Sequence, residues 1–313
     1  MSASNFWRRA EPLLLLLATG AGVGTIFPLG NIAVSHGLSP LVYVAVASLG
    51  GTVVLAVLNY LKGYSLRPDR EAMRYAFISG QLTIAVPFTA IVAVMQHLGS
   101  ALPAIMQTLI PIATLAIVYM LRLEKPSPAR VFGLALGIAG AAIILITRGH
   151  GDVETAPSIL WYLAAMIGPA VLAVGNVYRS VDWPSYDPPA LQLATWTLAA
   201  AAQSLICLLI FWELVVPSGA NGTVLQHIAA NWKLIALQSV TLGFGYAFYF
   251  RLQRVGGPVY ISQLSYVNMA VGVLFAVAFF GEVISLWSWL ALALTALGVF
   301  IVNSTRPRNQ RPE

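Results

Sequence analysis

The chain has 313 residues, of which 58% are hydrophobic and only 9% charged. A soluble domain of this size carries about 25% charged residues, because its surface must face water, so a soluble globular fold is excluded. The net charge of +6 reads as lysine and arginine retained beside a membrane rather than as a nucleic-acid surface.

The charges that exist are clustered: residues 13–34, 40–61, 99–121 and 258–281 contain no Asp, Glu, Lys or Arg. About 20 apolar residues in a helix cross the roughly 30 Å hydrocarbon core of a bilayer. The first run follows Arg8 and Arg9 and is longer than the ~7–15 residues of a signal-peptide core. It is therefore read as a transmembrane helix. In chain order the spans are predicted at 12–34, 39–61, 73–95, 99–121, 128–148, 158–180, 188–212, 232–252, 257–281 and 286–304. Turn formers fill the short connections, such as "SHGLSP", "EKPSP" and "RVGGP"; only 213–231 is long enough to carry structure of its own.

Alternating the spans from a cytoplasmic N-terminus places the cations unevenly. Arg8, Arg9, Lys62, Arg67, Arg70, Arg74, Arg122, Lys125, Arg130, Arg179, Arg251, Arg254, Arg306, Arg308 and Arg311 then lie inside, and only Arg148 and Lys233 outside. That bias supports the orientation and the even number of spans, because positive loops stay cytoplasmic. His36, His97, His150 and His227 fall in outer loops and are read as belonging to no site.

The chain also repeats itself. At an offset of 158, Gly99 pairs with Gly257, Glu124 with Glu282, Ser127 with Ser285 and Gly140 with Gly298. "PLGNIAV" in the first half echoes "AVGNVYR" in the second. Five spans per copy is an odd number, so the second copy is expected to be inverted in the membrane. Such repeats are found in many secondary transporters, with the substrate site at their interface. The expected fold is thus an all-α membrane protein of ten transmembrane helices, arranged as two inverted five-helix repeats. The divisions are a cytoplasmic N-terminus (1–11), a first repeat (12–148), a periplasmic linker (149–157), a second repeat (158–304) and a cytoplasmic tail (305–313).

The span count, the paired "…P…E…G" hairpins and the two GN pairs resemble the EamA branch of the drug/metabolite transporter superfamily. The resemblance covers essentially the whole chain, as units near 13–148 and 158–304. It implies a multi-pass permease of the bacterial inner membrane, in many members an exporter of amino acids and other small metabolites. Two departures stand out. Ala47 or Ser48 occupies the place of an arginine common in the family's second helix, and Met269 stands opposite Pro111 where a proline is expected.

No carboxylate is predicted deep in a span; Glu213, Glu124 and Glu282 lie at span ends. Intramembrane acids carry protons and bind cations, so an antiporter for cationic drugs is disfavoured. With no acid, histidine pair or metal cluster at depth, a membrane enzyme is not expected, nor any catalytic, cofactor-binding or metal-binding set. Cys207 has no partner for a disulfide or zinc site. Glu124 and Glu282 each precede a turn and a new helix, where negative charge meets a helix N-terminus favourably.

The candidate substrate-binding residues are amides and aromatics: Asn31, Gln107, Asn176, Trp196, Tyr246, Gln263 and Tyr266. Ser100, Gln107, Pro111 and Thr114 share one face of the fourth span, and Ser262, Gln263, Tyr266 and Met269 one face of the ninth. Lipid satisfies no glutamine, so both faces are expected to turn inward. Trp7, Trp161, Trp232, Trp287 and Trp289 are read as interfacial anchors. Pro28, Pro87, Pro111 and Pro169 are expected to break the helical ladder, as cavity-shaping bends or as hinges. With no fixed charge at depth, the expected substrate is a small polar or zwitterionic metabolite such as an amino acid, moved by alternating access. Import of a vitamin or nucleotide-like compound, or a non-transporting scaffold, are the alternatives. The expected partners are this small molecule and the lipid bilayer, without nucleic acid, for a monomeric protein.

Overall fold

The computed structural model describes residues 3–123, 127–147, 157–215 and 221–304, the side chains of 3–10, 130, 221–223, 255–260, 262, 263, 299 and 302–304 excepted. Every regular element among the described residues is helical. In lipid each backbone N–H and C=O must be bonded within the protein, and a helix achieves this within one segment. In chain order the helices are α1 (Ala3–Gly24), α2 (Ile26–Ser35), α3 (Pro40–Leu61), α4 (Arg70–Gly80), α5 (Val86–Leu98), α6 (Ala101–Met106) and α7 (Ile110–Met120). They continue as α8 (Pro128–Thr147), α9 (Ile159–Ala165), α10 (Ile167–Val181), α11 (Ala190–Val215), α12 (Asn221–Ala230), α13 (Trp232–Phe280) and α14 (Leu286–Ser304).

Among the described residues, six helical stretches are long and apolar enough to cross a membrane: Glu11–Ser35, Pro40–Leu61, Arg70–Leu98, Ala101–Met120, Ile159–Val181 and Ala190–Val215. Shorter apolar helices cover Val131–Thr147, Leu264–Phe280 and Leu286–Gly298. Many large apolar side chains face outward, among them Val53, Phe132, Ile146, Phe211 and Phe300. On a soluble protein so much exposed apolar surface would aggregate; in a bilayer it meets lipid. The long connection before α13 does carry structure, the helix α12.

Each of the four mid-span prolines has a break just upstream. Thr25 interrupts α1 and α2 ahead of Pro28, and a π-helical turn at Gln81–Ala85 precedes Pro87. A 3-10 turn at Gln107–Leu109 precedes Pro111, and Met166 separates α9 from α10 ahead of Pro169. A proline donates no N–H and its ring crowds the carbonyl four residues back, so the disturbance falls within the preceding turn. The four breaks surround the middle of the bundle.

The helix α13 departs from expectation. Its backbone is helical from Trp232 to Phe280, where two spans separated by "RVGGP" are predicted. Yet residues far apart along it touch the same turn of α1. A Cβ on Gly22 would lie 2.9 Å from Gly245 Cα, and one on Gly20 would lie 2.3 Å from Val267 Cγ1. A straight helix would hold residues 245 and 267 about 33 Å apart. The chain therefore doubles back between them, and α1 lies between the two arms. Small residues permit the close approach, as at Gly298, where a Cβ would sit 2.4 Å from the Gly133 carbonyl.

The connections gather at two ends. At one, Arg74 pairs with Asp182, Arg254 with Asp187 and Arg251 with Glu11. There Ser185 donates its N–H and hydroxyl to Glu71, and Tyr186 donates to Asp69. At the other, His36 Nδ1 lies 2.8 Å from Asn231 Oδ1, and Ser100 bonds Glu282. His97 stacks on Trp161 with ring centroids 3.6 Å apart. His36 lies in the turn after α2, as expected, whereas His97 lies within α5 rather than in a loop. Glu124 lies outside the described residues.

Candidate functional site

The proline-induced breaks leave space between α1, α2, α5, α7, α10 and α13. A small inner compartment of about 50 Å³ is lined by Phe27, Thr83, Phe88, Gln107, Asn176, Arg179, Tyr246, Tyr249, Leu264, Ser265 and Asn268, among others. It adjoins a vestibule of about 530 Å³ whose lining includes Pro111, Thr114, Leu123, Val177, Trp183, Asp187, Gln253 and Arg254. Ile110, Asn176, Arg179, Tyr249 and Ile261 belong to both linings and form the neck. Arg254 and Asp187, each about half exposed, stand on the vestibule rim. Beyond Gln107 the other end is filled by packed Leu98, Leu102, Ile105, Met106, Tyr162 and Ala291. The cavity is open at one end and plugged at the other.

The break before Pro87 builds one wall. Residue 87 has no N–H to give the Thr83 carbonyl four residues back. Tyr246, 3% exposed, donates its hydroxyl to that carbonyl at 2.9 Å. Its ring stacks on Tyr249 and meets Phe88 edge-on. Gln107 sits in the 3-10 turn, where its backbone N–H goes to Ala104 O. Its side-chain amide turns back to the Pro103 carbonyl at 3.3 Å.

Arg179 dominates the neck. Its side chain is 1% exposed, with its guanidinium carbon 4.3 Å from the ring centroids of both Tyr249 and Phe250. Nη2 donates to Gln253 Oε1 at 2.7 Å, while Nε and Nη1 make no hydrogen bond of good geometry and the equally unmatched Tyr75 hydroxyl lies beside the guanidinium. Desolvated cation–π contacts are worth about 2 kcal/mol, well short of offsetting the burial of a charge. The cavity thus carries a buried charge where none was expected, on a residue only two positions, about 3 Å, from the end of α10. The charge bias that set the orientation counted Arg179 as a loop cation. It lies instead within α10, and helical spacing places it on the same face as Asn176, three residues earlier. That spacing was the available signal. Two acceptors nearby are also unmatched, Asn268 Oδ1 in the inner compartment and Thr114 Oγ1 in the vestibule.

Of the predicted site residues, Gln107, Asn176 and Tyr246 meet at this cavity. Asn176 Oδ1 accepts from the Tyr249 hydroxyl at 3.3 Å. Trp196 lies elsewhere: its indole N–H donates to the Leu66 carbonyl at 3.1 Å, in a groove beside α4. Only six residues from the start of α11, it sits about 9 Å from that helix end, not at depth. Asn31 is half-buried one turn beyond Phe27, which lines the cavity in its place. On α13 the cavity takes the face of Ile261, Leu264, Ser265 and Asn268, the i, i+3, i+4, i+7 stripe. Half-buried Tyr266 is rotated off that stripe. The Gln263 side chain lies outside the described residues. Sequence reasoning missed Arg179, Thr83 and Asn268.

Glu282 is also placed differently from expectation. Oε1 accepts from Ser100 N–H and hydroxyl at 2.8 and 2.7 Å, and Oε2 from Ala101 N–H at 3.0 Å. It meets the N-terminus of α6, distant in sequence, rather than that of α14, which follows it.

A helical bundle with an apolar exterior and a central cavity, largely apolar with a few polar groups, that opens at one end defines a membrane protein that handles small molecules. The chain belongs to the EamA-like transporter family, which matches residues 11–146 and 157–304. It is 28% identical over 269 residues to the protein named "Uncharacterized inner membrane transporter YedA" of Escherichia coli (strain K12), covering 84% of this chain and 81% of that one. It is 24% identical over 335 residues to "WAT1-related protein At4g15540" of Arabidopsis thaliana, covering 96% and 90%. A solved crystal structure shares the fold with a TM-score of 0.59 at 22% identity, covering 93% of this chain and 98% of that one.

Proposed function

We propose that this transporter is a secondary permease of the inner membrane that exports small metabolites, amino-acid-like compounds foremost, by alternating access. In this reading ten spans form two inverted five-helix repeats and both termini are cytoplasmic. The supporting observation is that the cavity is shared between the two family units. Thr83, Phe88 and Gln107 come from the first, and Asn176, Arg179, Tyr246 and Asn268 from the second. A site at the junction of two units is exposed to either side by rocking one against the other. The vestibule is the open side, and the packed cluster around Leu102 and Met106 closes the opposite one.

Chemistry narrows the cargo. The lining offers amides, hydroxyls and aromatic faces but, apart from Asp187, no acid among the described residues, and Asp187 is engaged by Arg254. An organic cation would find no counter-ion in the inner compartment and would meet Arg179. A vestibule of about 530 Å³ lies within the ~300–1,000 Å³ range of small-molecule sites. The inner-membrane location follows the similarity to YedA, named as an inner membrane transporter, and the cation-rich loops. Counterflow into proteoliposomes preloaded with single amino acids is the test. Saturable exchange of at least one supports the reading; its absence across all of them, with folded protein in the vesicles, overturns it.

A further inference from the structure

The strongest unexplained feature is a charge without a partner. Arg179 is buried, its Nε and Nη1 groups make no hydrogen bond of good geometry, and the neighbouring Tyr75 hydroxyl supplies no negative charge. Asp187, the carboxylate in the same lining, is committed to Arg254 and to the Trp183 indole N–H. Tyr249 and Phe250 both pack against the guanidinium, and Gln253 takes one hydrogen of Nη2. The fork is therefore ordered before anything binds, which lowers the entropy cost of binding.

We propose that Arg179 is a carboxylate-binding site, and that the cargo is a small monoanionic or zwitterionic carboxylate whose carboxyl oxygens take one unpaired guanidinium hydrogen, on Nε or Nη1, together with the second hydrogen of Nη2. The proposal rests on the permease reading, because it assigns a chemical class to the cargo of that cavity. Planar guanidinium matches planar carboxylate through two parallel hydrogen bonds, which an ammonium cannot reproduce. One unpaired positive charge fits one negative charge. A dianionic phosphate would keep a second charge uncompensated, because Arg254 on the rim is already paired. Ile110, Val177, Ile261 and Trp183 line the same space and suit an apolar or aromatic body. Asn268 Oδ1, an unmatched acceptor, would take an N–H donor of an α-amino acid.

The test uses matched acid and amide pairs, which share shape and differ in charge: benzoate and benzamide, phenylacetate and phenylacetamide, L-phenylalanine and L-phenylalaninamide. Thermal stabilisation of the purified full chain reads binding, and counterflow reads transport. At least one acid is expected to bind roughly 10–100-fold tighter than its amide, the scale of a charged hydrogen-bond pair. That preference should vanish in Arg179→Gln and be reduced in Arg179→Lys. Equal affinity for acid and amide across all three pairs in the wild-type protein overturns the proposal, and needs no variant to fold. An acid preference that survives in Arg179→Gln overturns it equally. Acid-selective binding without counterflow would leave the carboxylate site standing and remove the permease reading. Counterflow indifferent to charge would do the reverse.

Discussion

Glu282 receives three hydrogen bonds from Ser100 and Ala101, which joins the α13–α14 connection to the start of α6 across the two family units. All three donors point at carboxylate oxygens, so Glu282→Gln would set an amide NH2 against a backbone N–H. Charged hydrogen bonds are worth about 1.5–3 kcal/mol each when formed, and partial exposure reduces that figure here. The substitution is expected to lower thermal stability by about 1–2 kcal/mol, with acid-probe affinity at the cavity nearly unchanged. An unchanged melting temperature would show that the contact holds nothing together.

Gly99 is tied to the same contact. Its φ of +69° lies where side chains are strained, and a Cβ there would stand 2.6 Å from Glu282 Oε2. Gly99→Ala therefore meets both a backbone penalty of about 1–3 kcal/mol and displacement of the carboxylate. It should destabilise at least as much as Glu282→Gln, and the double variant should fall short of the sum, because the two changes remove one contact. Full additivity in a melting experiment would separate the two residues.

Much of this architecture is legible in the sequence, and the reasons differ by residue. Charge-free runs mark the spans because lipid excludes charge, and prolines mark the breaks because their chemistry is local. Position across the bundle is not local. Nothing in "FFGEVIS" names Ser100 as the partner of Glu282, since the residues lie 182 positions apart. Arg179 was misread for a related reason: orientation rules count a cation near a span end as a loop charge, while packing by Tyr249 and Phe250 draws it inside. On α13 polar residues occur on two faces, and only the doubling back of the chain decides which one meets the cavity.

The Tyr246–Thr83 bond depends on Pro87, which supplies no N–H to that carbonyl. Tyr246→Phe should leave a buried carbonyl unmatched, at about 1–3 kcal/mol. Pro87→Ala would provide a competing N–H four residues on and so straighten the π-helical turn at Gln81–Ala85. Combined with Tyr246→Phe, it is expected to recover part of the lost stability. No recovery in the double variant would mean that the turn is held by packing and not by the missing donor.

At the ion-paired end, burial and the hydrogen bond to Asp69, with Asp69 and Glu71 adding negative charge, push Tyr186 up to about 12. The folded protein therefore binds this proton more tightly than the unfolded chain, where tyrosine titrates near ~10. The resulting stabilisation is complete below about pH 10 and is lost as pH rises towards 12. Protease sensitivity of the 182–189 connection should rise over that window, and Tyr186→Phe should remove the part due to this group. An identical pH profile in the variant would assign the loosening to other groups.

Sidedness offers the most direct check of the inverted repeat. Ser127 precedes α8 and Ser285 precedes α14, at matched places in the two proposed repeats. Contacts already separate the bundle ends: Glu282 lies with Ser100 and Ala101, whereas Arg254, Asp187 and Glu11 share the other end with their ion-pair partners. If five spans precede each hairpin in opposite sense, the two serines face opposite compartments. The natural Cys207 must first be changed to serine, because it is exposed and would report its own position. In that background, a membrane-impermeant maleimide applied to intact cells should label Ser285→Cys but not Ser127→Cys, and inside-out vesicles should reverse the result. Labelling of both from one side would leave the two units parallel, and the exchange of access between the ends would lose its structural basis.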